Sequence, residues 1–359
     1  MMTSKELVLA ALNHQPTARV PFAWGCGVNG QVRAELAKEM GHASPAETEA
    51  YLQSLMDFRW VSPRYIGPAD RNCTVDGVET DIWGVKRRFS SYGLGGYMEI
   101  CEYPLAEMET VEDLENFTWP SVDWFDFSVL PAQIKSHNQN GNEYAIIMGN
   151  GNILESSWYM RGLELMLTDL LVEPELAEAV MTRVTNFFIE YFTRALTVTN
   201  RGGTPIDVIM TADDIGTQEG LMVSLDLWER MIKPHHMRLN EALHRFGVKI
   251  LYHTDGAVMD ALDGLVDMGI DVLEALQFDA KNMSPEIMKE KYGDRLCFQG
   301  GISVQSTLPF GTPDEVRREI EERIRVLGAG GGYILAPSHA IQDGTPIENV
   351  KVLLGYGRR

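Results

Sequence analysis

Positive charge is scarce in this sequence: 31 lysines and arginines stand against 51 aspartates and glutamates, a formal net charge of −20. That balance excludes a general affinity for nucleic acid or anionic membranes, because binding there rests on neutralising phosphates. A polyanionic substrate would need a local basic pocket. Cysteine is sparse too. Cys26, Cys73, Cys101 and Cys297 are the four, with no C-x-x-C pair, which excludes a disulfide framework and a thiolate-only zinc cluster and fits a reducing compartment. They read as small core residues. No run of about 18 apolar residues occurs, the length a membrane span needs, and the start, "MMTSKELVLAALNHQPTARVP", has an amphipathic helical pattern without a cleavage signal. The expectation is a cytoplasmic protein with neither a membrane nor a nucleic acid as partner. The "GAGGG" at 328–332 lacks the following Lys-Ser/Thr of a phosphate loop and precedes a strand pattern, so it reads as a helix end and tight turn.

What is present is a large supply of core: 359 residues, 45% of them hydrophobic. Eight short apolar runs predict strands at 19–25, 60–66, 144–150, 207–214, 248–256, 272–277, 296–302 and 332–341. Helical periods such as "PELAEAVMTRVTNFFIEYFTRAL" and "PDEVRREIEERIRVLGAG" separate the later ones. Strand and helix alternating through the chain predict an α/β protein of the (β/α)8 TIM barrel type, residues 1–359 forming one domain. Residues 73–105 break the alternation; with β-branched residues and the turn signal Asp76-Gly77 they predict an inserted β-hairpin at the barrel mouth.

Barrel chemistry gathers at the C-terminal ends of the strands, so polar residues there carry information. They are Asn150 and Asn152 after the third strand, Asp213 and Asp214 after the fourth, and His253 and Asp255 after the fifth. Glu274 on the sixth, Gln299 on the seventh, and Ser338 and His339 on the eighth complete the set. Residues i and i+2 of a strand share a face, so His253 and Asp255 can present an imidazole and a carboxylate to one target. The structural alternative is that Asp255 caps the next helix and "DG" makes a turn. Across a narrow barrel, His339 can join them as an N,O,N set that suits zinc or another divalent ion, with Glu274 as a fourth ligand or the group that orients an imidazole. Of the adjacent acids, Asp213 is read as facing the mouth and as catalytic, while Asp214 is read as structural. His235-His236 reads as filler. Gly149, Gly151, Gly216, Gly256, Gly300 and Gly301 make tight turns singly and, as a set, leave room for a bulky group.

The stretches "RVPFAWG", "DDIGTQEGLMVSLDLWERMIKP", "HTDG", "CFQGGISVQSTLPFGTPDEVRREI" and "GYILAPSHAIQDGTPIENV" together resemble the uroporphyrinogen decarboxylase superfamily, over nearly the whole chain. That resemblance implies a (β/α)8 barrel and two branches, haem-pathway decarboxylases and corrinoid-dependent methyltransferases. The decarboxylases hold their polycarboxylate with an arginine-rich stretch after the first strand; here that place reads "CGVNG", Cys26 to Gly30. The methyltransferase branch carries zinc on a His-x-Cys and a later Cys, positions that match His253, Asp255 and His339. The implied activity is therefore metal-dependent transfer of a methyl group between a methylcobamide, delivered by a small corrinoid-binding protein, and a small-molecule acceptor. Zinc is the implied metal, His339 and Asp213 are catalytic, and Asn150 and Gln299 hold substrate; a homodimer is left open. The alternative is a decarboxylase of a small or tetrapyrrole carboxylate, with Asp213 and His339 handling protons. A barrel that only binds a ligand is the third reading.

Overall fold

The computed structural model describes residues 2–93, 95–139 and 141–357. Seven parallel strands form one sheet in the order Phe58–Trp60, Ala145–Asn152, Val208–Ala212, Lys249–His253, Val272–Ala275, Cys297–Ile302 and Tyr333–Pro337. The segment 21–23 fills the eighth place. Leu335 donates its amide to Pro21 (2.8 Å), Ala23 donates to Leu335 (2.9 Å), and Asp57 donates to Phe22 (3.0 Å), so this short piece joins the last strand to Phe58–Trp60 and closes the ring. The expected (β/α)8 barrel is the fold found. Counted from segment 21–23, the strands are called first to eighth below.

Near-continuous apolar runs make these strands because both faces are covered, as parallel sheets require. Alternate residues point inward: Ala23, Phe58, Ala145, Ile147, Val208, Leu251, Val272, Cys297, Ile334 and Ala336 fill the barrel. The helix Ser4–Leu12, started by a capping box of Thr3 and Glu6, adds Val8, Ala11 and Leu12 to that cluster and plugs the N-terminal end. The outward faces meet the helices. In Pro174–Arg201, Leu176, Ala177, Val180, Met181, Val184, Phe187, Phe188, Phe192, Ala195 and Leu196 recur three or four residues apart and are buried. In Pro313–Leu327, a Thr312–Glu315 capping box sets the start, and Val316, Ile320 and Leu327 face in. Among the described residues no helix is long and apolar enough to cross a membrane.

Two expectations need correction. The insert has four strands: Cys73–Val75, Val78–Thr80, Lys86–Ser91 and Gly96–Glu102 in an antiparallel meander. Asp76 and Gly77 do turn its first hairpin, with φ of 51° and 75°, the paired left-handed geometry of a two-residue turn. The strand expected at 60–66 is Phe58–Trp60. Pro63 cannot donate to a ladder, and the chain after it leaves the barrel to pair Arg64–Tyr65 with Phe125–Asp126.

Candidate metal and substrate site

The inward rows change character as the strands climb. Leu251 is followed two residues later by His253, Val272 by Glu274, and Cys297 by Gln299, and the register aligns His253 with Glu274 and Glu274 with Gln299. The same period of two that builds the apolar core thus lifts a layer of polar side chains to the mouth. His253 Nδ1 donates to Glu274 Oε2, which leaves Nε2 free to face the opening. There Nε2 lies 3.8 Å from Asp214 Oδ1 and 3.9 Å from Asp255 Oδ1. His339, from the loop after the eighth strand, places Nε2 3.8 Å from Asp255 Oδ2, and the two imidazole rings are 6.0 Å apart. Ligand atoms of Asp214, His253 and Asp255 all lie within 4.8 Å of one another, and so do those of Cys26, His253 and His339.

Asp255 caps no helix: the next helical turn, Met259–Ala261, has Val258 at its cap, and Asp255 Oδ1 is buried without a hydrogen-bond partner. Glu274 sits behind His253, outside the converging atoms, where a carboxylate orients a ligating imidazole. Its second oxygen, Oε1, is also buried and unpartnered, as is Gln299 Oε1. Burial opposes charge on His253, but Glu274, Asp255 and Asp214 outweigh it and raise the imidazole to about 10. Burial raises Asp255 to about 6, against the pull of His253. A divalent ion would satisfy the free oxygens and replace the proton on His253, so these residues fit a metal.

Asp213, expected at the mouth, points away from it. Val208, Met210 and Ala212 take the inward positions of the fourth strand, so Asp213 falls on the outward face. Its carboxylate accepts the amides of Leu154 and Glu155 (2.8 Å each) at the start of helix Ile153–Arg161, and His236 Nε2 at 2.5 Å. Asp214 turns toward the mouth instead, where Oδ1 accepts the Asp255 amide at 2.9 Å. His236, read as filler, is the buried partner that completes Asp213's bonding. Ser338 is buried below the mouth and accepts from the Val304 amide at 3.4 Å.

Two neighbouring cavities of about 430 Å³ each share Asn150. One is lined by Trp24, Cys26, Arg59, Trp60 and Met210. The other lies under the insert, between Trp83, Arg87, Asn152, Tyr159, Phe187 and Tyr191. Asn152 Nδ2 (2.5 Å) and the Tyr159 hydroxyl (2.7 Å) both donate to Glu155. Burial, then repulsion from Asp213 and Asp214, raises the Glu155 carboxyl to about 7. Cys26, Asp214, Glu155 and Tyr159 are the functional candidates that sequence reading passed over. The glycines do not open the mouth as expected. A Cβ on Gly216 would stand 2.5 Å from the Asp255 carbonyl, and one on Gly300, whose φ is +115°, 2.0 Å from that of Ala275; those at Gly149, Gly151, Gly256 and Gly301 would also meet protein. They serve close backbone packing.

The fold and mouth define a (β/α)8 barrel with imidazole, thiol and carboxylate groups converging at the C-terminal ends of its strands. Residues 100–359 match the family described as uroporphyrinogen decarboxylase (URO-D), and the chain belongs to that family. It is 24% identical, over 98% of its length and 96% of the relative's, to the methylcobamide:CoM methyltransferase MtaA of Methanosarcina barkeri. A second form of that protein, from the Fusaro strain, is 28% identical over 148 residues, 41% of this chain and 40% of that one. A methyltransferase structure from Methanosarcina mazei superposes with a TM-score of 0.70 at 22% identity, covering 99% of this chain and 98% of the other.

Proposed function

We propose that the chain is a metal-dependent methyltransferase, moving a methyl group between a methylcobamide carried by a small corrinoid protein and a small-molecule acceptor. The observation that carries this reading is the mouth itself: two imidazoles and a carboxylate converge on the opening, and among the described residues the cavities beside it offer no unengaged arginine to hold a polycarboxylate. The arginines lining the two cavities are engaged. Arg33 pairs with Glu49 (2.5 Å), Arg59 donates to the carbonyls of Met56 and Phe58, and Arg87 pairs with Asp81 (2.7 Å). Lys86 is paired with Glu102 and Arg64 with Asp126. A substrate rich in carboxylates would meet Glu155, Asp214, Asp255 and Glu274 instead, which disfavours the decarboxylase alternative. The similarity to MtaA over the whole length supports the same branch.

His253, Asp255 and His339 hold the ion, and Glu274 fixes the His253 ring. Bound there, a divalent ion supplies Lewis acidity that lowers the pKa of an acceptor. Asn150, on the wall shared by both cavities, and Gln299, whose carbonyl oxygen is unpartnered, position the small substrate. Glu155 is suited to hold a proton near neutral pH beside them. The test is metal-loaded protein with free methylcobalamin and a panel of thiols and tetrahydrofolate. Loss of the methyl-cobalt absorbance with one acceptor is expected. No consumption with any acceptor, together with release of carbon dioxide from uroporphyrinogen, would move the chain to the decarboxylase branch.

A further inference from the structure

Cys26 enters the mouth from the first barrel position, beside the loop that carries His339. We propose that its sulfur is a thiolate ligand of the metal ion, together with His253 and His339. The inference rests on the metal site of the preceding section and not on which reaction that site performs. Three observations carry it. The sulfur and one nitrogen of each imidazole already lie within 4.8 Å of one another, close enough for a small inward movement to bring them round one ion. The loop holding Cys26 is built onto the loop holding His339: Gly27 donates to Trp24 (2.9 Å), Ile341 donates to Gly27 (2.9 Å), and Asn29 donates back to Ile341 (2.9 Å). Finally, Glu274, 1% exposed, keeps an unpartnered oxygen beside this loop.

Gly25 explains how the loop gets so close. Its φ is +55°, and a Cβ there would stand 3.1 Å from both Glu274 Oε1 and the Pro337 carbonyl. A residue with a side chain would lift the turn off the site and carry Cys26 with it. Sequence position 26 therefore belongs to the mouth only because the first and eighth barrel positions are joined.

On binding, the Cys26 S–H bond breaks, its proton leaves to solvent, and the sulfur donates an electron pair to the ion in place of a water. One soft sulfur among imidazoles raises affinity for zinc and cobalt over magnesium or calcium, which favour oxygen. Asp255 remains within reach of both rings, so the ion would also have an oxygen at hand.

The experiment uses the full chain, stripped of metal and loaded with one equivalent of cobalt(II). Wild type is expected to show a sulfur-to-cobalt charge-transfer band in the near ultraviolet. Cys26→Ser should lose it while keeping folded circular dichroism, and Cys101→Ser, an exposed cysteine elsewhere, should keep it. Zinc affinity of Cys26→Ser should fall at least about 100-fold, beyond the 10- to 100-fold usual for groups behind a ligand. Should Cys26→Ser fail to fold, alkylation of the wild type followed by mass spectrometry answers the same question: zinc should protect Cys26 and leave Cys101 reactive. A cobalt spectrum unchanged in Cys26→Ser, or equal alkylation of Cys26 with and without zinc, would overturn the thiolate and leave an imidazole–carboxylate site standing. No stoichiometric metal in wild type would overturn both.

Discussion

Asp213 and Glu274 are fully buried acids at the same end of one barrel, 0% and 1% exposed, yet their surroundings are opposite. Asp213 accepts two helix amides and an imidazole, so each of its oxygens is used. Glu274 accepts from His253 through one oxygen and keeps the other bare, and Asp255 beside it also keeps one bare. A buried polar atom without a partner costs about 1–3 kcal/mol, more when charged. The first kind of acid builds the fold. The second kind is tolerated at a cost in stability, which is the mark of a place kept ready for a ligand.

Breaking that comparison starts with the satisfied acid. Asp213→Ala strands two amides and the 0%-exposed ring of His236 in the interior, so denaturant unfolding should show a loss of about 3–5 kcal/mol. Glu274→Gln should cost the metal-free protein less, about 1–2 kcal/mol: the amide oxygen still accepts from His253 Nδ1, and what is lost is the charge that holds the imidazole protonated. If the two substitutions destabilise equally, the distinction between fold-building and site-building acids is wrong.

The second break concerns metal. His253→Ala should abolish stoichiometric zinc, measured by elemental analysis after dialysis; it also strands the second oxygen of buried Glu274, so the metal-free variant should stay folded by circular dichroism but lose about 1–3 kcal/mol. Glu274→Gln should retain the ion with affinity reduced about 10- to 100-fold, as expected for a group behind a ligand. Metal uptake in wild type at pH 7 should also release protons, because His253, raised to about 10, is protonated in the metal-free protein. Calorimetry in buffers of different ionisation enthalpy measures that release.

Much of this is legible in the sequence. Apolar runs located the sheet, since strands buried on both faces read as continuous hydrophobic stretches. That His253, Asp255 and His339 reach the mouth is legible because strand ends are fixed by the same runs; that they hold an ion is the proposal made above. Asp213 was misread, although the signal was there: with Val208, Met210 and Ala212 facing in, strict alternation sends 213 outward. Cys26 had no such signal. Its place depends on closure between the first and last barrel positions, where Phe22 pairs with Leu335 from the far end of the sequence, and on a turn at Gly25 whose need appears only beside Glu274. The second hairpin of the insert was missed for a related reason: its strand Lys86–Ser91 is charged and half exposed, with no alternation to read.

The last expected effect lies in pH, and Glu155 carries it. Burial and the negative charge of Asp213 and Asp214 raise its carboxyl from the ordinary 4.5 to about 7 in the folded protein. The native state therefore holds a proton that the unfolded chain has lost between those values, and the metal-free protein should become less stable as pH rises from about 4.5 to 7. The full difference converts to roughly 3 kcal/mol, and the bonds from Asn152 and Tyr159 already work to lower it. Asp255, raised to about 6, tilts the profile the same way, whereas His253 contributes fully up to about 6.5, the ordinary imidazole value, and loses that contribution as pH rises on toward 10. Subtraction isolates the glutamate: Glu155→Gln keeps the shape without the charge, so the wild-type curve minus the variant's should slope downward with rising pH. A flat difference curve would mean that Glu155 is ionised throughout, and its role as the proton-holding group beside the substrate would have to be given up.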